Sequence, residues 1–180
     1  MVSSTFQISM LDRRDNYPSE EKRVALVGRE ALHNAYAQNA TEAFFFNFGK
    51  DAKEYLVIAH NGKPFKDLEH QKLCMKPSIT GGEGVQGNGM KASMFLLTET
   101  KDEAELLIHN RVDEQAYTTK LTCINFNNAN IEDVSADWKD EIKSAMGDYY
   151  TQFSVFYIYR YVNVNTKENK EVRRSSQGLL

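Results

Sequence analysis

Cysteine is scarce in this sequence of 180 residues, and long apolar runs are missing. The two cysteines, Cys74 and Cys123, stand far apart, without a nearby Cys or His at metal-ligand spacing. Small extracellular domains usually carry more cysteines, so we expect a reducing compartment, the cytoplasm or, in a eukaryote, the nucleus. The longest apolar run, FSVFYIY, is too short to cross a bilayer, so no membrane association is expected.

An excess of charge of one sign is also missing. The chain carries 22 basic and 25 acidic residues, interspersed along its length, for a formal net charge of -3. Such a surface has no dominant positive field for a nucleic-acid backbone. We therefore expect contact with nucleic acid only through other domains.

Hydrophobic residues make up 41% of the chain, which is enough for one globular domain. We assign residues 1–165 to this domain, and residues 166–180, which are polar, to a tail or linker. The pattern predicts a helix from about Ser19 to Asn39, followed by two neighbouring strands, EAFFFNF and EYLVIAH. A loop rich in Gly, Ser and Thr precedes another helix, and most of the second half reads as sheet.

The first predicted helix has two different faces. One face carries small or apolar residues: Val24, Ala25, Gly28, Ala31, Leu32 and Ala35. Glu30 and Asn34 fall on the other face, one helical turn apart. A carboxylate and an amide at this spacing can hold a water molecule and a divalent cation, and a solvated polar stripe is the alternative.

The segment GVQGNGMKAS, residues 84–93, places three glycines in front of a predicted helix. Bare backbone N–H groups at a helix start favour an anion such as phosphate. The segment lacks the Gly-Lys-Ser/Thr ending of a P-loop, and no strand directly precedes it as the dinucleotide fingerprint requires. A flexible turn is the alternative for the glycines taken alone.

Three stretches, REALHNAYAQNATEA, VIAHNGKPF and GVQGNGMKASM, together resemble the three ATP-site motifs of the GHKL superfamily. This superfamily includes gyrase B subunits, the large heat-shock chaperone, histidine kinases and MutL. The resemblance covers about residues 20–100, and it looks closest to the microrchidia and sacsin-related bacterial branches. It implies an α/β (α+β) two-layer sandwich, with a mixed, largely antiparallel sheet, helices on one face and an ATP pocket between the two layers.

The resemblance also implies roles for residues at the phosphate end of such a pocket. Glu30 corresponds to the general base that activates water, and Asn34 to the side chain that binds Mg²⁺. The residues expected around the phosphates are Gly84, Gly87, Asn88, Gly89 and Lys91. The loop from about residue 76 to residue 87 corresponds to a lid.

At the base end, the sequence departs from the pattern of the superfamily. His60 stands where the relatives carry an adenine-binding aspartate, and Asn61 is the alternative acceptor beside Gly62. Pro64 replaces a second glycine, and Ala37 stands where many relatives have an aspartate. In addition, Thr151 loosely matches a threonine that contacts the adenine edge through water.

The resemblance implies a module that binds ATP, hydrolyses it with Mg²⁺, and uses lid closure to drive conformational change or dimerisation. The expected partners are a second copy of the chain or further domains of a longer protein. Because of the departures at the base end, the alternative is a degenerate nucleotide-binding or protein-interaction domain without turnover.

Overall fold

A computed structural model describes residues 19–76, 88–98, 103–124 and 127–161. Its α-helices are α1 (Glu20–Ala37), α2 (Leu68–Met75), α3 (Asn88–Ser93) and α4 (Ser135–Met146), and a 3₁₀ helix spans Gly147–Gln152. Its strands are β1 (Ala43–Lys50), β2 (Lys53–His60), β3 (Glu103–Val112), β4 (Gln115–Ile124), β5 (Asn127–Asp133) and β6 (Val155–Tyr161). Within these ranges no helix is both long and apolar enough to span a membrane.

The six strands form one sheet in the order β1-β2-β6-β3-β4-β5. Every neighbouring pair in this order is antiparallel. The predicted α+β sandwich with a largely antiparallel sheet is therefore confirmed, and the described pairs contain no parallel component. The last strand inserts between β2 and β3, so α2 and α3 lie in the connection that crosses over it.

Local sequence signals explain how the chain enters this sheet. The Ser19 hydroxyl accepts a hydrogen bond from the backbone N–H of Lys22, which caps the start of α1. The turn between β1 and β2 consists of Asp51 and Ala52, with φ angles of 52° and 61°. Two residues with positive φ form the tight turn that suits an antiparallel hairpin. The predicted first helix and pair of neighbouring strands are thus confirmed.

Both faces of the sheet are buried in apolar clusters. On the first face, Ile58, Leu106 and Tyr157 pack against α1, α2 and α3. On the opposite face, Val57, Leu107 and their neighbours pack against α4, through its buried Trp138, Ile142 and Met146. Helices therefore lie on both faces, where one face was expected. The reason is that the central strands are apolar at successive positions, so each side of the sheet needs a cover.

The buried face of α1 is shifted from the predicted one. Val27, Ala31 and Ala35, which are one turn apart, are buried, whereas Leu32 is 44% exposed. Glu30 and Asn34 each precede a buried residue and are themselves half-buried. They lie at the edge of the core, beside the packing face and not opposite to it.

The predicted lid beyond Lys76, with Gly84 and Gly87, lies outside the described residues, as does the predicted tail, residues 166–180.

Candidate functional site

A cavity of about 430 Å³ opens between the end of α1, the segment after β2, and α2 and α3, with β6 beneath it. Its volume falls within the range of pockets that bind small molecules. The residues that line it are Asn34, Ala37, Gln38, Asn39, Lys63, Pro64, Phe65, His70, Cys74, Met90 and Tyr157. The cavity therefore draws on all three sequence motifs.

Glu30 and Gly89, from the first and third motifs, are in contact beside this cavity. A Cβ atom at position 89 would collide with the Glu30 carboxylate and come within 2.9 Å of its Cδ atom. A larger residue would therefore push the carboxylate away from the start of α3. The side chain of Glu30 is 18% exposed, and its Oε1 lies 3.3 Å from Nη2 of Arg29. The structure thus brings together two residues that the resemblance to the GHKL superfamily assigned to one site.

Asn34 lies one turn of α1 beyond Glu30 and lines the cavity. Its amide oxygen is a suitable ligand for a hard cation such as Mg²⁺. Asn88 begins α3 at the same end of the site.

Lys91 belongs to α3, as predicted, and is only 2% exposed. Its ammonium group donates a hydrogen bond of 2.7 Å to the backbone carbonyl of Lys76. Burial lowers the pKa of this ammonium group to about 8, and the neighbouring Cys74 opposes the shift. The side chain therefore ties α3 to the end of α2.

His60, at the end of β2, is fully buried and does not line the cavity. Its Nδ1 accepts a hydrogen bond from the backbone N–H of Gly62 at 3.1 Å, and its Nε2 lies 3.4 Å from the Tyr157 hydroxyl. Burial lowers the pKa of His60 to about 4, so the ring is neutral at pH 7. Because Nδ1 acts as the acceptor, the single ring proton lies on Nε2 and points towards Tyr157.

The Asn61 side chain holds the backbone where α1 leads into β1. Its Oδ1 accepts hydrogen bonds of 2.9 Å from the N–H groups of Thr41 and Glu42, and its Nδ2 donates to the Thr41 hydroxyl. Gly62 packs tightly here, since a Cβ atom at this position would lie 2.9 Å from the backbone carbonyl oxygen of Gln38. The VIAHNGKPF motif, through Asn61 and Gly62, therefore fixes the end of α1 against β2.

Thr151 lies away from the cavity. It is exposed in the 3₁₀ helix, and its carbonyl oxygen accepts a hydrogen bond of 3.2 Å from Arg111. The strand that follows, β6, begins only at Val155. The β6 residue on the cavity floor is Tyr157 instead.

Sequence reasoning missed Gln38 and Tyr157 as cavity residues. Gln38 follows α1 directly, and its Oε1 is buried without a hydrogen-bond partner among the described residues. Burial raises the pKa of the Tyr157 hydroxyl, and the Gln38 amide beside it partly offsets the rise. Counting one further helical turn from Asn34 would have found Gln38, whereas Tyr157 required knowledge of how the strands pair.

A scan against models of known protein families finds no match for the chain, and a search of curated proteins finds none either. Its fold and site define the chain as an antiparallel α+β domain with a ligand-sized cavity between helices and sheet.

Proposed function

We propose that the chain is a nucleotide-binding module that binds ATP with Mg²⁺ in this cavity and hydrolyses it. The contact between Glu30 and Gly89 is the observation that carries the proposal. It joins a candidate base on α1 to a glycine at the start of α3, where backbone N–H groups suit a phosphate.

The residues present fit such a ligand in three respects. The cavity has a suitable volume, Asn34 offers a cation ligand, and the absence of a side chain at Gly89 leaves the Glu30 carboxylate in place. At the far end, Gln38 Oε1 is a buried acceptor that still lacks a donor among the described residues. A bound magnesium ion supplies charge neutralisation on the phosphates.

The chain's own residues would then divide the chemistry between them. The Glu30 carboxylate, which is half-buried at the edge of the site, would orient the attacking water and accept its proton. Asn34 holds the metal-nucleotide complex, and the start of α3, at Asn88 and Gly89, places backbone amides near the phosphates. Lys91 keeps α3 fixed against α2 through its bond to Lys76.

The second candidate is a nucleotide-binding or protein-interaction domain without turnover. The observation that favours it is His60, whose ring is engaged with Gly62 and Tyr157 and offers no acceptor to a base. The lack of an acceptor at His60 affects only the binding of the base. Glu30 and Asn34, the groups proposed for hydrolysis, remain in place. We therefore place hydrolysis first.

We also propose how the module acts within a longer protein. Nucleotide binding would close the segment after Lys76 as a lid and favour conformational change or pairing of two copies, within a longer protein. The compartment would be the cytoplasm or the nucleus, and nucleic acid would be met only through other domains.

Calorimetric titration with Mg²⁺ and a non-hydrolysable ATP analogue tests the proposal. Wild-type protein should bind one equivalent, and Asn34→Ala should weaken this affinity by about tenfold, because the change removes a cation ligand. The matched control is Asn130→Ala, at an exposed position on β5. Absence of binding by the wild type, or equal affinity for both variants, would contradict the assignment.

The cavity should discriminate only weakly between adenine and guanine nucleotides. Without a carboxylate at position 60, we expect the affinities for ATP and GTP to differ by less than about 1.4 kcal/mol, or tenfold. A Gln38 amide can rotate and present either its oxygen or its nitrogen to the base. Competition binding measures the ratio, and a hundredfold preference for either nucleotide would refute this expectation.

A further inference from the structure

One face of α1 runs along the whole length of the proposed site. Glu30, Asn34 and Gln38 follow each other at intervals of four residues, and Gln38 directly follows the helix end. At a rise of 1.5 Å per residue, Gln38 lies roughly 12 Å along the axis from Glu30. If the phosphates lie at the Glu30 end, the base of the same nucleotide lies near Gln38.

Two polar groups meet at the Gln38 end of the cavity. Gln38 Oε1 is buried and has no partner among the described residues. Tyr157 also lines this cavity, although its side chain is buried, and the Gln38 amide lies beside its hydroxyl. A buried acceptor without a donor is destabilising, so a ligand that supplies the donor gains affinity.

The hydrogen bonds behind Tyr157 fix the direction in which its proton points. The Gly62 N–H donates to Nδ1 of His60, so Nε2 carries the ring proton and donates towards the Tyr157 oxygen. The hydroxyl of Tyr157 therefore has its own proton free to donate into the cavity. His60 acts through Tyr157 and does not touch the ligand.

We infer that Gln38 and Tyr157 read the edge of the base, in place of the aspartate that members of the GHKL superfamily carry where this chain has His60. The Oε1 atom of Gln38 accepts a hydrogen bond from the 6-amino group of adenine, and the Tyr157 hydroxyl donates to ring nitrogen N1. This inference rests on the proposed nucleotide function and names the residues that give it base selectivity.

Gln38 Oε1 is an acceptor and the Tyr157 hydroxyl is a donor. They match the adjacent 6-amino group and N1 of adenine, which are a donor and an acceptor in turn. With a 6-oxopurine, a rotated Gln38 amide donates from its nitrogen to the oxo group, and the Tyr157 hydroxyl oxygen accepts from N1–H instead of donating. A purine with no group at position 6 satisfies neither arrangement, because it leaves the Gln38 amide unpaired. Purine riboside triphosphate is therefore the most discriminating probe.

The experiment is a calorimetric comparison of ATP, purine riboside triphosphate and inorganic tripolyphosphate, each with Mg²⁺. Wild-type protein should bind ATP about tenfold more tightly than purine riboside triphosphate, which corresponds to about 1.4 kcal/mol. In Gln38→Met, which has a similar size but no amide, this preference should disappear. Gln152→Met, at an exposed position on the opposite side of the sheet, is the matched control and should keep it.

Tripolyphosphate separates a base contact from a general effect on folding. Gln38→Met and Tyr157→Phe should lower ATP affinity while changing tripolyphosphate affinity by less than about twofold. An equal loss for both ligands, no preference in the wild type, or a preference retained in Gln38→Met would overturn the inference. Failure of wild-type protein to bind ATP or tripolyphosphate would instead refute the nucleotide function on which the inference rests.

Discussion

Replacing Glu30 with alanine is expected to lower ATP turnover by about 100-fold or more while leaving Mg²⁺-ATP binding nearly intact. The magnitude is the usual contribution of a general base, which acts in the transition state and not in ground-state binding. Removal of a negative charge beside the γ-phosphate can even tighten binding. Glu30 lies at the edge of the core, with its side chain 18% exposed, so its loss should not unfold the domain.

Single-turnover kinetics alongside binding measurements distinguish this outcome from simple loss of the site. Glu21→Ala, at an exposed position on the same helix, is the control and should turn over ATP at the wild-type rate. Equal turnover in wild type and Glu30→Ala would remove Glu30 from the mechanism. Binding without any turnover by the wild type, even within a longer parent protein, would favour the domain without hydrolysis.

The second large effect is a steep loss of stability in mild acid. Two buried histidines are neutral in the folded protein: burial lowers the pKa of His60 to about 4 and that of His109 to about 3, from 6.5. The nitrogens of His109 lie 2.7 Å from the Thr118 hydroxyl and 2.8 Å from the Tyr150 hydroxyl. Arg111 and Lys139 add repulsion that further opposes its protonation.

The direction of this pH dependence follows from the lowered pKa values. Between about pH 6.5 and pH 4 the unfolded chain binds more protons than the folded one, so acid favours unfolding. The stabilising contribution is complete above about pH 6.5 and is lost as the pH falls towards 4. Two histidines together give a slope of up to about 2.7 kcal/mol per pH unit.

Urea denaturation at a series of pH values between about 7 and 4.5 measures this slope. His60→Gln should reduce the slope by the contribution of one proton, about 1.4 kcal/mol per pH unit. Asn130→Gln, at an exposed position on β5 without a titratable group, should leave the slope unchanged. The slope is informative even when a variant is less stable overall. A wild-type slope near zero, or one that His60→Gln does not alter, would contradict the burial of neutral histidines.

The features that could be predicted from the sequence are those fixed by local signals. The serine cap defines the start of α1, and a two-residue turn sets the register of β1 and β2. Helical periodicity places Glu30 and Asn34 on one side of α1, because the spacing of one turn is a property of the helix alone. The position of Gly89 against Glu30 depends on the tertiary fold, and only the resemblance to the GHKL superfamily implied it.

The rest depends on pairings between distant strands. The insertion of β6 between β2 and β3 brings Tyr157 beneath the cavity and beside His60, although these residues are far apart in the chain. Thr151 lies outside the cavity because it belongs to the 3₁₀ helix that precedes β6. The helix on the second face was missed because the central strands are apolar at successive positions. Such strands lack the alternation of apolar and polar residues that shows which face is buried.

The central claim, that the cavity binds Mg²⁺-ATP, is tested most directly by the rate at which Cys74 is alkylated. Cys74 is half-buried in the cavity wall, and Cys123, which is 2% exposed, serves as the internal reference. Burial raises the pKa of the Cys74 thiol, so the reaction is run at about pH 8.5. ATP at ten times its dissociation constant should slow alkylation of Cys74 about tenfold, through occupancy of the cavity. An unchanged rate at a concentration of ATP that saturates binding would show that the nucleotide binds elsewhere and would contradict the account.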